Sequence, residues 1–188
     1  MTQQGSRNGV DVELLGQTVG AIQSQAELAQ FQFRATTHWI SGAHVQTHIQ
    51  GFRGVGREDG SRSTPFILEG DEPAVLLGTN QGANAVELLL AALTSCLSVG
   101  VAYNAAARGI EIEELRMEVS GDIDLHGFLG LSESIRPGCQ TIDVGCHIKS
   151  PASDSTIADL LEYAQHTSPV LDMIRNPTPV HVKFLRLS

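Results

Sequence analysis

The chain has 188 residues, 41% hydrophobic and 18% charged, which excludes a disordered polymer and is long enough for one domain with a real core. Aromatic residues at 5% leave that core to aliphatic side chains. The formal charge of −9, from 21 acidic and 12 basic residues with no run of one sign, argues against nucleic acid and anionic membrane surfaces as partners.

Residues 1–9 are polar, lack the apolar run of a secretory signal and are expected to be disordered, with residues 10–188 forming a single domain. From Asp11 to about Gln25, Val12, Leu15, Val19 and Ile22 recur at spacings of three and four, which predicts an amphipathic helix. Phe31, Phe33 and Ala35 begin a strand running to Ile40. After a turn at Ser41-Gly42, Val45, Thr47 and Ile49 alternate with His44, Gln46, His48 and Gln50 in a second strand with one polar face. Residues 51–64 read as a loop, Phe66 to Leu68 as a short strand, and Gly78 to Asn84 as a glycine-rich connection.

The dominant element comes next. Asn84 is a suitable N-cap and Gly109 a C-terminal stop, so the pattern predicts a helix of about 24 residues, roughly 36 Å long. Within it, Leu88 to Ala107 is 20 residues without a formal charge. That is the length of a membrane span. The polar residues Thr94, Ser95, Ser98, Tyr103 and Asn104, and the absence of a flanking basic cluster, favour a helix buried inside a soluble domain.

Strands are expected between Ile110 and Asp124 and again where Ile142, Val144, Cys146 and Ile148 share a face. A loop or short turn at residues 127–134 separates them. A helix from Asp154 to about His166, a short helix opened by Ser168-Pro169, and a closing strand from Pro179 to Leu187 complete an α+β chain.

Three cysteines, Cys96, Cys139 and Cys146, are an odd number without regular spacing, a poor disulfide framework. With the missing signal they point to a reducing, cytoplasmic location. Cys96 lies mid-helix among Ala91, Ala92, Ser95, Ser98 and Gly100. By composition alone it reads as a small core residue.

The run from Asn84 to Cys96, N-A-V-E-L-L-L-A-A-L-T-S-C, resembles the central-helix signature of the OsmC/Ohr family, the osmotically inducible and organic hydroperoxide resistance proteins. The usual form is N-P-x-E-L-L-L-A-A-L-x-x-C. Residues 106–112, 121–124, 127–130, 136–138, 168–172 and 176–180 extend the resemblance in order over about residues 30–188. It implies an intertwined homodimer, with long central helices wrapped by antiparallel sheet and active sites at the interface. It also implies reduction of small organic hydroperoxides by a peroxidatic cysteine, which by position is Cys96.

The sequence departs from that pattern at several places. Ser168, before Pro169, occupies the position of the resolving cysteine and cannot form a disulfide. The family's glutamate falls at Val86; Glu87 is adjacent and is the candidate to serve the thiol in its place, although it points about 100° away, a direction that suits a helix cap or a salt bridge instead. Ala85 replaces the motif proline. Arg34 and Arg53 are candidates for the family's arginine. Cys139, on the opposite strand parity from Cys146, is the candidate alternative resolving thiol, while Cys146 is expected to face the core.

Two functions follow. One is a one-cysteine thiol peroxidase restored by an external thiol reductant. The other is a catalytically degenerate relative binding an apolar small molecule at the dimer interface. No cofactor is expected. No metal is expected either: His44 and His48 are about 13 Å apart along a strand face and no Cys–His spacing suits zinc.

Overall fold

The computed structural model describes residues 5–187 and divides into two compact units, Met1–Ala91 and Ala92–Ser188. In the first unit, strands β1 (Ser6–Arg7) and β2 (Val10–Asp11) form a short hairpin, so residues 5–9, expected to be disordered, take up ordered backbone. Residues 1–4 lie outside the described residues. Helix α1 (Val12–Ser24) follows as the apolar spacing predicts, with the Asp11 carboxylate accepting from the Leu14 amide at 2.9 Å.

The expected strand over residues 31–40 is two strands, β3 (Gln32–Phe33) and β4 (Thr36–Ser41), which pair with different neighbours. Strand β4 pairs antiparallel with β5 (His44–Ile49). The stretch 51–64, expected to be a loop, contains a hairpin of β6 (Phe52–Gly54) and β7 (Arg57–Asp59). Its turn residues Val55 and Gly56 both have positive φ, 50° and 74°, as a type I′ turn requires. Valine rarely accepts that backbone, so the residue types hid the turn. Strand β8 (Phe66–Gly70) completes a sheet of order β4-β5-β8, and β3-β6-β7 forms another. Phe31, Phe33 and Phe52 cluster with centroids 5.7–6.3 Å apart beside this second sheet, Phe31 stacked on both others.

Helix α2 (Ala85–Ala107) begins in the first unit and ends in the second. It is opened by a reciprocal capping box: the Asn84 amide donates to the Glu87 carboxylate at 2.8 Å, and the Glu87 amide donates to Asn84 Oδ1 at 2.9 Å. Gly109, at φ 74°, ends it, with the Ile110 amide returning to the Ala105 carbonyl.

In the second unit, β9 (Glu114–Asp122) pairs antiparallel with β10 (Thr141–Lys149), Cys146 lying opposite Met117, and the single turn α3 (Leu125–Phe128) between them overlaps the start of the stretch expected to be a loop or short turn. Helices α4 (Asp154–His166) and α5 (Pro169–Arg175) carry N-caps Ser153 and Ser168. Their buried faces meet a stripe of α2 at i+4 spacing. Val101 and Ala105 pack with Leu160 and Ala164, and Leu93 and Leu97 pack with Leu171.

By length and composition α2 could cross a membrane, but this packing is that of a core helix. The expectation of burial on every side is met on one face only. Leu89, Val99 and Tyr103 remain 43–50% exposed. Residues 176–187 form neither helix nor strand, so the expected closing strand is absent among the described residues: nothing there pairs with its backbone.

Candidate thiol site

Cys96 is half-buried on α2, one position before the buried Leu97. Opposite it is the start of α5. Ser168 caps that helix, its Oγ accepting from the Leu171 amide at 3.3 Å, and Pro169 fills the first helical position, where no amide hydrogen is needed. Ser168 is 4% exposed, and its Oγ lies 3.2 Å from Cys96 Sγ. With one lone pair engaged by the Leu171 amide, the hydroxyl has its proton and a second lone pair left, so either it or the thiol can donate across this contact. The structure therefore brings together Cys96 and Ser168, two residues 72 positions apart.

The other candidates have partners of their own or no ionisable group. The Glu87 carboxylate is used in the capping box. Nine residues separate Glu87 from Cys96, about 13 Å along one helix and on its opposite side. Val86 offers no ionisable group. Arg34 is paired with Glu58, and Arg53 stands opposite Gln32 across the β3–β6 pair. Cys139 is a free, half-buried thiol in the turn before β10. Cys146 faces inward as its strand parity predicts, and burial pushes its thiol above the ordinary value of 9.0.

Among the described residues no group of three or more His, Cys, Asp or Glu side chains is placed to hold a metal. The histidines of β5 are instead tied into a polar row. His44 Nε2 and Gln46 Nε2 each lie 2.8 Å from the Glu69 carboxylate, and His48 Nε2 lies 2.7 Å from Gln46 Oε1. Hydrogen bonds from Gln46 and then His44 hold the Glu69 carboxyl below its usual range.

Sequence reasoning missed Asp71. It is 4% exposed and accepts from the Thr79 hydroxyl at 2.6 Å and from the amides of Glu72, Thr79 and Gln81 at 2.8–3.1 Å. The Thr79 hydroxyl foremost, then the amides, lower its carboxyl to about 2. This side chain folds the glycine-rich connection that leads into α2. Gly82 belongs to the same arrangement, since an added Cβ would stand 2.2 Å from the Glu69 carbonyl oxygen. No spacing rule marks Asp71, because its donors come from a loop.

The fold and the site define an α+β protein with one helix-borne thiol set against a helix-capping hydroxyl. The model of the OsmC-like protein family matches residues 78–183, more than half of the sequence, and the chain belongs to that family. No curated protein matches it. Among solved structures it is similar to an OsmC-like protein from Mycoplasma pneumoniae, with 18% identity over 78% of this chain and 89% of that one and a TM-score of 0.61. It is also similar to an OsmC-like protein of unknown function from Vibrio cholerae (11% identity, 75% and 92% covered, TM-score 0.57). A third is an organic hydroperoxide resistance protein from Legionella pneumophila (19% identity, 77% and 89% covered, TM-score 0.50). At these identities the likeness is one of fold.

Proposed function

We propose that this protein is a one-cysteine thiol peroxidase that reduces small organic hydroperoxides through Cys96. The observation that carries the reading is the 3.2 Å approach of Cys96 Sγ to Ser168 Oγ. It sets the thiol against the residue that stands where the family's hydroperoxide-reducing pattern has its resolving cysteine. The Cys96 thiolate attacks the outer oxygen of the hydroperoxide and the O–O bond breaks. The alkoxide leaves and takes a proton to become the alcohol, while the sulfur is oxidised to a sulfenic acid. A hydroxyl cannot close a disulfide, so an external thiol condenses with the sulfenic acid and releases water. A second external thiol then reduces the mixed disulfide and regenerates Cys96. A reducing, cytoplasmic compartment supplies such thiols. The Legionella protein's description as an organic hydroperoxide resistance protein agrees with this chemistry.

A homodimer belongs to the same reading. At about 100° per residue, Leu89, Cys96 and Tyr103 fall within about 40° of each other on α2, away from the buried stripe. An apolar face that carries the reactive thiol and stays exposed in one chain is completed by a second copy.

The deciding experiment exposes reduced protein to cumene hydroperoxide with a sulfenic-acid trap, read by mass spectrometry, with Cys96→Ser as control. Trapping within seconds at Cys96, and none there in the control, is the expected result. Oxidation no faster than that of a free cysteine overturns the peroxidase reading. The second reading then stands: a binding protein for an apolar small molecule at the dimer interface, favoured by Ser168 and Val86 at the positions of the family's cysteine and glutamate.

A further inference from the structure

The second unit contains a cavity of about 460 Å³ between α2, the β9–β10 pair, α4 and α5. Its size falls within the roughly 300–1,000 Å³ of ordinary small-molecule sites. Leu97, Val101, Ile142, Val144 and Leu161 supply apolar wall. Cys96 does not line it, although its neighbours Leu93 and Leu97 and the α5 residue Leu171 do. Among the described residues, the polar side chains that reach it are those of Gln165, Arg175 and Cys146, and no carboxylate lines it.

Gln165 donates back to the Leu161 carbonyl of its own helix. The guanidinium of Arg175 pairs with no carboxylate among the described residues. Arg175 is exposed at the edge of the cavity, one helical turn from Asp172 but in no ion pair with it, so its guanidinium is open to an anion from outside the chain. Guanidinium presents paired N–H donors that match the two oxygens of a carboxylate.

We propose that this cavity binds an apolar monocarboxylate, its hydrocarbon part against the aliphatic walls and its carboxylate on Arg175. An alcohol of the same chain length would gain the walls and lose the ion pair. A dicarboxylate would bury a second charge against aliphatic side chains with no partner. The charged end therefore sets ligand orientation, and the apolar part supplies the burial.

Cys146 on the wall makes the site readable. The full-length protein is titrated with decanoate and, separately, with decan-1-ol. Binding is followed by calorimetry, and N-ethylmaleimide labelling of each cysteine by peptide mass spectrometry. Decanoate is expected to slow labelling of Cys146 at least tenfold, saturably, without slowing Cys139. Arg175→Gln is expected to weaken decanoate binding at least tenfold and to leave decan-1-ol within twofold. Labelling of Cys146 at one rate with and without decanoate overturns the proposal. So does equal binding of acid and alcohol that Arg175→Gln leaves unchanged, which would mark an unselective apolar hole. Cys146 inert before any ligand is added overturns it too, because a second copy or residues 177–187 would then already cover the cavity.

Discussion

Ser168 stands at two structural duties, capping α5 through its Oγ and facing Cys96 across 3.2 Å. A disulfide needs its sulfurs to close to about 2.0 Å, a small movement from that starting point. Ser168→Cys is therefore expected to turn the one-thiol site into a two-thiol site. One equivalent of cumene hydroperoxide should yield an intramolecular disulfide between position 168 and Cys96, seen in a non-reducing peptide map. The stability cost is about 1 kcal/mol for the weaker cap. A sulfenic acid that persists in this variant would show that the two side chains do not meet in solution. Asp71 is the other residue on which much depends. Its carboxyl is lowered to about 2 from an ordinary 3.8, so the folded state prefers the ionised form. Its stabilisation is fully present above the unfolded value and disappears as pH falls through about 2. Asp71→Asn should lower the thermal midpoint by roughly 5 °C at pH 6, and the gap to the unchanged protein should close toward pH 2. A gap that stays constant across that range would refute the electrostatic account. Cys96 was legible in the sequence because a helix motif surrounds it. Asp71 was not, because its four donors are assembled by loop backbone.

At the scale of elements, the start of α2 decides what Glu87 can do. The capping box commits its carboxylate to the Asn84 amide, and the Asn84 side chain to the Glu87 amide. Asn84→Ala is expected to cost about 1 kcal/mol in denaturant unfolding, within the range for lost N-caps, and to leave the rate of Cys96 oxidation unchanged. A tenfold fall in that rate with stability intact would return this end of the helix to the chemistry. Helices were the readable part of this chain because their ends are written in residue types: Asp11, Asn84, Ser153 and Ser168 at the starts, and Gly109 at the close of α2. Strands were read less well. The β6–β7 hairpin turns on Val55-Gly56, where valine gives no sign of positive φ. The break between β3 and β4 reflects a change of pairing partner, which no periodicity records.

At the scale of the whole molecule, the proposed second copy would cover features that one chain leaves open. Val180, Val182 and Phe184 alternate as a strand should, yet all are at least 79% exposed and nothing pairs with them. The alternation was legible; whether another strand pairs with it is not written in residue types. On α2, Leu89, Val99 and Tyr103 are exposed on the side that carries Cys96, so covering that face and enclosing the thiol are one event. Light scattering should therefore give a particle of about 40 kDa, twice the 20.1 kDa chain. Val99→Glu would place a charge in the covered face, where burial without a partner costs several kcal/mol. It is expected to shift the particle to the mass of one chain and to slow Cys96 oxidation by cumene hydroperoxide at least tenfold, because the thiol would lose the apolar wall that the second copy brings. A native protein of one-chain mass that reacts at full speed would sink the assembly argument and leave the thiol site complete within a single chain.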